Sequence, residues 1–389
     1  MSKNKLIRIT TIPFSLEKLL KGQLAYMQNH FHVTAVSSEK DNLEVFGKEE
    51  GVATYHIEMT RQITPWADLK AVYKLYKFIK KERPTVVHSH TPKAGIVGMM
   101  AAWLAKVPHR LHTVGGLPLM EATGNKRKLL DYVEKTTYNF ATKVYPNSKG
   151  LYDFIVAENL TKPKKLKIIG QGSTNGINTH LFDPALFTAS RYTLRKELNI
   201  PPNSFVFVFV GRVVGDKGIN ELVEAFGNIH KKTNRTGGND PKLLLVGFLE
   251  TELDPLKPET LHAIENNPNI ISVGYQKDVR PYFAAADALA FPSYREGFPN
   301  VVMQAGAMGL PAIVSNINGC NEIIDEGQNG LIIKVKDTTT LEQAMTELLT
   351  NSSLYQKLKS NAREMITSRF SQEEVWKALL EEYNLLLKK

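Results

Sequence analysis

The strongest constraint on this chain is a repeated alternation of short, apolar, β-type runs with stretches of helical periodicity. Residues 205–210 (FVFVFV), 243–246, 270–273, 288–291, 312–315 and 331–335 have no polar side to turn to water, which suits strands covered on both faces. The first half follows the same grammar, with strands predicted at 6–10, 32–37, 54–58, 86–90, 110–114, 143–146 and 166–169. Such alternation predicts an α/β fold, with parallel sheets wound by helices on both faces. A chain of 389 residues exceeds one ordinary core. The segment 178–203, carrying Asp183-Pro184 and Pro201-Pro202, reads as the linker. Two doubly wound, Rossmann-like domains are therefore expected, 1–183 and 184–370. Ligands of such sheets bind beyond the carboxyl ends of the strands, so a cleft between the facing domains is the expected site.

The helical stretches are amphipathic. Over 67–82 an apolar stripe of Leu69, Val72, Tyr73, Tyr76 and Ile79 is predicted to face the core, with Lys70, Lys74, Lys77 and Lys81 off it. Residues 94–105 (AGIVGMMAAWLA) have the length of a buried helix and fall short of the ~18 apolar residues a membrane span needs. Residues 233–240 (TNRTGGND) read as an exposed loop. The first eleven residues hold too short an apolar stretch for a signal peptide. The single cysteine, Cys320, excludes an internal disulfide and a thiolate metal cluster, as expected of a cytoplasmic protein.

The formal charge of +10 is unevenly spread. Residues 1–183 carry 27 Lys and Arg against 15 Asp and Glu, whereas 184–389 carry 22 against 24. A basic first half implies an anionic partner, and charge alone does not choose among nucleic acid, an anionic surface such as the inner face of the cell membrane, and a phosphorylated lipid. The basic cluster 124–128 (GNKRK) suits a polyprenyl diphosphate at an anionic bilayer. Nucleic acid is not expected, because no binding motif is interleaved with the charge.

Two segments of the second half carry chemistry. Val210-Gly211-Arg212 ends a strand, and Asp216-Lys217-Gly218 opens a helix over 219–230. A strand-end glycine permits close backbone approach, and a helix start offers free N–H groups to an anion. Arg212 and Lys217 add two cations where a diphosphate could lie. The second segment, FPSYREGFPN, sets Glu296 in a turn before a helix containing Gln304; a carboxylate there can accept from sugar hydroxyls.

Taken in order, VGR…DKG, FPSYREGFPNVVMQAGAMGLPAIVS, GCNEII and NGLIIKVKD resemble the group 1, or family 4, retaining glycosyltransferases of the GT-B fold. In the first half TIPFSLEKLLKGQL, HSHTPKAG, RLHTVGGLP, YPNS and NGIN resemble the bacterial branch that builds surface polysaccharides and lipid-linked glycans. The resemblance spans nearly the whole chain. It implies that a final helix, 371–389, returns to the first domain, and that a hexose or N-acetylhexosamine passes from a nucleotide diphosphate, UDP in that branch, to a glycan acceptor on a polyprenyl diphosphate. No cofactor and no metal are implied. Arg212 and Lys217 would grip the pyrophosphate, Glu296 the sugar hydroxyls, and His112 the donor sugar from the first domain. Gly211, Gly297, Phe298, Pro299 and Asn300 would line the donor, while Lys21, Gly22, His90 and Lys93 would serve the acceptor side.

The sequence departs from the family at three points. Gln304 stands where the family has a second glutamate for the ribose hydroxyls. Lys21-Gly22-Gln23 replaces twin glycines, and Asn178 an aspartate. Two rivals share the expected fold: a nucleotide-sugar epimerase, which needs no acceptor, and a sugar-nucleotide-binding protein without turnover.

Overall fold

The computed structural model describes residues 3–388 apart from 61, 63, 121, 237–239, 251 and 253, with backbone only for 231–236. The chain forms two compact units, Met1–Gly176 with Gln372–Lys389, and Ile177–Ser371.

In the first unit β1 (Lys5–Ile9), β2 (His32–Ser37), β3 (Ala53–His56), β4 (Val86–His90), β5 (His109–Val114) and β6 (Lys143–Pro146) form a parallel sheet in the order β3-β2-β1-β4-β5-β6. Successive side chains on a strand point to opposite faces. Leu6, Val33, Val86 and Leu111 accordingly pack in one layer with Leu379, Tyr383 and Leu386 of the C-terminal helix Gln372–Leu387. Ile7, Val36, Val87 and Val144 pack in the other, under the helices Pro65–Glu82 and Pro92–Leu104.

In the second unit β7 (Val206–Val210), β8 (Lys242–Val246), β9 (Ile270–Ser272), β10 (Ala288–Phe291), β11 (Ala312–Ser315) and β12 (Gly330–Ile333) follow the order β12-β11-β10-β7-β8-β9, all parallel. Both sheets are doubly wound, and the direction of winding reverses between β1 and β4 and between β7 and β10. Helices diverge at such a point and leave a crevice at the strand ends. Those ends are Thr10 and His90 in one unit, Gly211 and Pro292 in the other.

Several expectations are corrected. Residues 166–169 form no strand: a single bridge joins Leu166 to Val144, and Lys167 turns to Glu382 of the C-terminal helix. The units divide after Gly176 rather than at 183, because Ile177 donates to the Phe370 carbonyl at 2.8 Å and bridges to Ser371. The segment read as linker contains the helix Thr188–Glu197, and its one buried residue is Arg195. That guanidinium reaches the carbonyls of Ala285, Pro202 and Ser204 and the Asp287 carboxylate at 2.7–3.0 Å. A helix anchored by a charge shows no apolar stripe to read. On the helix Pro65–Glu82 the buried residues are Ala71, Val72, Leu75 and Ile79. Leu69 and Tyr73 lie outside among the lysines, because the stripe that packs on the next helix runs one position away. The helix expected over 219–230 continues to Thr236, into the segment read as a loop; 237–239 lie outside the described residues.

Candidate active site

The second unit builds its site at the β7/β10 switch point. Beyond Gly211 the chain passes a 3-10 turn, Gly215–Lys217, and reaches Gly218, whose φ of +72° admits glycine readily. A Cβ on Gly218 would stand 2.2 Å from the Pro292 carbonyl oxygen, so the absence of a side chain lets the loop close on the end of β10. The Asp216 carbonyl accepts from Tyr294 N–H at 2.9 Å, and its carboxylate from Arg295 at 2.8 Å. This lacing carries Lys217 to the FPSYREG turn. Its ammonium lies 2.6 Å from Glu296 Oε1 and 3.5 Å from Ser293 Oγ, and Ser293 donates to the same carboxylate oxygen at 3.0 Å. Lys217 and Glu296 side chains are only 16% and 18% exposed, so water screens the pair weakly.

Glu296 and Gly297 are held from below by Asn318, whose amide donates to the Gly297 carbonyl at 2.6 Å and the Glu296 carbonyl at 3.2 Å. Gly319, with φ +75°, leaves only 2.5 Å between an added Cβ and the Gly297 oxygen. That is the work of the GCNEII segment. Phe298 is buried against Phe370, Pro299 precedes the helix Asn300–Ala307, Asn300 is exposed at its start and Gln304 half-buried within it. Arg212 is not gathered into the Lys217 cluster; its side chain is half exposed and pairs with Glu250 at 2.9 Å. Burial pushes the Cys320 thiol far above its ordinary pKa, so it is an inert neighbour of this turn.

The first unit has its own constellation beside the β1/β4 switch point. His112, on β5, is 3% exposed, and its Nδ1 lies 2.9 Å from Ser89 Oγ. Gly95 makes the room: a Cβ there would stand 2.6 Å from His112 Cε1. Burial lowers the His112 pKa to about 4, so the ring is neutral at pH 7. A cavity of about 170 Å³ opens in front of it, lined by His90, His112, Thr113, Gly115, Glu134 and Thr174 among others. His90 Nε2 meets the fully buried Arg8 at 2.8 and 3.2 Å, and Arg8 donates to Gln23 Oε1 at 2.5 Å. His88 stacks on His90 and bridges Tyr383 Oη at 2.6 Å and Thr113 Oγ1 at 2.8 Å. Glu134, 4% exposed, has its carboxyl raised to about 7 by burial.

His90 and His112 are thus brought together. Lys93 is turned away, into an ion pair with Asp68 at 2.5 Å between two helices. Lys21 lines a separate groove with Phe14, Glu17 and Glu49. Gly22 is required by packing: its φ is +80° and a Cβ would strike the Trp376 ring at 2.7 Å. Arg8, His88 and Glu134 escaped the sequence reading. Arg8 did leave a signal, a charge in the middle of an apolar strand (LIRIT).

Comparison with known proteins gives this architecture a family. The model for glycosyl transferases group 1 matches residues 190–365, and that for a glycosyl transferase 4-like domain matches 20–172. The capsular polysaccharide biosynthesis glycosyltransferase CapM of Staphylococcus aureus is 32% identical over 389 residues, covering 100% of this chain and 99% of its own. The Escherichia coli UDP-Gal:alpha-D-GlcNAc-diphosphoundecaprenol alpha-1,3-galactosyltransferase is 29% identical, covering 95% and 94%. The structure resembles that of the Anabaena protein HepE in complex with UDP, with a TM-score of 0.80 at 18% identity, covering 98% and 99%. With both domain models matched and a relative aligned from end to end, the chain belongs to the group 1, family 4 glycosyltransferases of the GT-B fold.

Proposed function

We propose that the protein moves a hexose or N-acetylhexosamine from a UDP-sugar to a glycan acceptor on a polyprenyl diphosphate, with retention and without a metal ion. The observation that carries this reading is the Lys217–Ser293–Glu296 cluster at the β7/β10 switch point. An ammonium has three donors. Lys217 can therefore keep Glu296 aligned and still offer an N–H to a phosphate, while Glu296 retains lone pairs for a sugar hydroxyl. In the reaction the bond from C1 to the phosphate oxygen breaks and that from C1 to the acceptor oxygen forms on the same face. The acceptor proton passes to the departing phosphate. Charge grows on that phosphate, and cations at Arg212 and Lys217 stabilise it more in the transition state than before it. The names of the Escherichia coli and Staphylococcus aureus relatives support a lipid-linked acceptor and a role in surface polysaccharide synthesis.

The outer surface of the first unit supports a lipid-linked acceptor. The helices Pro65–Glu82, Pro92–Leu104 and Gly124–Phe140 pack side by side. Their outer sides expose Trp66, Leu69, Tyr73, Trp103, Leu129 and Tyr132 beside Lys70, Lys74, Lys77, Lys126 and Lys128. Mixed aromatic and basic residues suit the boundary of an anionic bilayer. No helix among the described residues is long and apolar enough to cross a membrane.

One assay tests the reading. With EDTA present, the protein is mixed with UDP-sugars and prenyl-diphosphate-linked N-acetylglucosamine in vesicles with or without anionic lipid. The expected result is an α-linked product, with co-flotation only on anionic vesicles. A β-linked product refutes retention, loss of turnover with EDTA refutes metal independence, and sugar conversion without acceptor indicates an epimerase.

Gln304 sets a second expectation. A neutral amide in place of a carboxylate weakens a ribose hydrogen bond by about 1 kcal/mol, roughly fivefold in affinity. Gln304→Glu should therefore tighten UDP binding about fivefold by calorimetry. An unchanged Kd would remove Gln304 from the ribose.

A further inference from the structure

Arg8 is a buried cation without a carboxylate. It lies at the end of β1, fully buried, and none of the ion pairs among the described residues includes it. Its contacts are Gln23 Oε1 and His90 Nε2, the latter met by both Nε and a terminal guanidinium nitrogen. An arginine donates and never accepts. The His90 Nε2 lone pair must therefore point at Arg8, and the imidazole proton must sit on Nδ1. A second proton on the ring would bring two cations together in a buried site. Burial and the Arg8 charge both lower the His90 pKa far below the ordinary histidine value, in agreement with a neutral ring.

Nδ1 of His90 is buried and has no hydrogen-bond partner among the described residues. A buried N–H left without an acceptor is costly, and native structures rarely tolerate one. His90 lines the cavity of about 170 Å³ that also meets His112 and Glu134. The residue after it, Thr91, holds a φ of +72°, strained for a β-branched side chain, and its Oγ1 is tied to Thr11 Oγ1 at 2.8 Å. The turn at the end of β4 is thus pinned where His90 meets the cavity. A sugar hydroxyl accepts one hydrogen bond and donates another. His90 and Glu134 both line the cavity. The His90 Nδ1 is covered, and a hydroxyl that displaced its cover would accept from that N–H and donate to the Glu134 carboxyl, whereas a phosphate would be repelled by Glu134 once ionised.

We propose that Arg8 is a positioning residue that fixes His90 in its Nδ1–H tautomer, and that this N–H donates to a hydroxyl of the acceptor sugar. The idea deepens the proposed transfer reaction and rests on it for the identity of the ligand. His90 is then a donor throughout the cycle and never a general base.

The test uses the full chain labelled with 15N at histidine. Long-range proton–nitrogen correlations should show His90 protonated at Nδ1, bare at Nε2 and not titrating between pH 8 and 5.5. In Arg8→Met, with folding checked by circular dichroism, Nε2 should gain protonated character. Kinetics supply the second arm. His90→Asn leaves an amide nitrogen at the place of Nδ1, and His90→Gln puts one at the place of Nε2. With prenyl-diphosphate-linked N-acetylglucosamine, His90→Asn should keep the acceptor KM within threefold. His90→Gln should raise it at least tenfold, with the UDP-sugar KM unchanged in both. An Nε2–H tautomer in the wild type, or equal acceptor KM values in the two variants, overturns the proposal. Absence of transfer by the wild type instead refutes the proposed reaction, and the tautomer is then judged by the spectra alone.

Discussion

Replacing Arg212 and Lys217 together by alanine should lower kcat at least a thousandfold at saturating UDP-sugar. Removing one well-placed donor to a developing charge costs 10²–10³ in rate, and groups that act as a unit lose more together than either alone but less than the product. The two cations have different surroundings, so the single variants should differ. Arg212 is half exposed and pairs with Glu250, so Arg212→Ala removes a mobile, hydrated charge and leaves the fold intact. Lys217 is enclosed with Glu296 and Ser293, and Lys217→Ala leaves a mostly buried carboxylate without its counter-charge. Lys217→Ala should thus lower the melting temperature of the protein as well as kcat, whereas Arg212→Ala should lower kcat alone. UDP release and thermal unfolding on the same preparations separate the two. Turnover within tenfold of wild type in the double variant would mean that the phosphate charge is neutralised by something else, and the proposed mechanism would fall with it.

The legible part of this molecule was the part written in periodicity. Continuous apolar runs such as FVFVFV had to be strands with two covered faces, and the structure packs Leu6 and Ile7, neighbours on β1, in opposite core layers. The loop from Gly211 to Gly218 was legible because glycines at strand ends and helix starts answer a local need, here a packing on Pro292 so close that an added Cβ would stand 2.2 Å from its carbonyl oxygen. What escaped depends on contacts between distant positions. Arg8 and His90 are 82 residues apart and meet only because β1 and β4 are neighbours at the switch point. Glu134 lies on the helix Gly124–Phe140, and its local sequence, DYVEKT, looks like any solvated helix face. The pairing of Lys217 with Glu296 joins two motifs that the sequence presented as separate. Leu69 and Tyr73 mislead for a related reason. Periodicity finds apolar residues, but which of them pack inside is decided by the neighbouring helix, and Leu69 and Tyr73 lie exposed.

Glu134→Gln should make the protein more stable at pH 8 and leave it unchanged at pH 4.5. Burial raises the Glu134 carboxyl from its ordinary 4.5 to about 7. A group with a raised pKa gives stability that is fully present below the unfolded value and is lost as pH rises through the folded one. Above pH 7 the wild type therefore holds a buried charge at a cost of about 3 kcal/mol, since a tenfold change in proton affinity corresponds to about 1.4 kcal/mol. Glutamine never ionises and escapes that cost, so its melting temperature at pH 8 should be higher by roughly 6–12 °C. The neighbouring histidines act in the opposite sense. His88, His90 and His112 all have lowered pKa values, chiefly through burial, so their stability is present above 6.5 and is lost as pH falls. In the wild type Glu134 offsets part of that loss. Without it, Glu134→Gln should lose stability more steeply than wild type between pH 7 and 4.5. An equal or lower melting temperature for the variant at pH 8 would show that Glu134 is not buried as an acid. Glu134 lines the cavity with His90 and His112; if its carboxyl serves the proposed acceptor, the variant that gains stability should lose acceptor affinity.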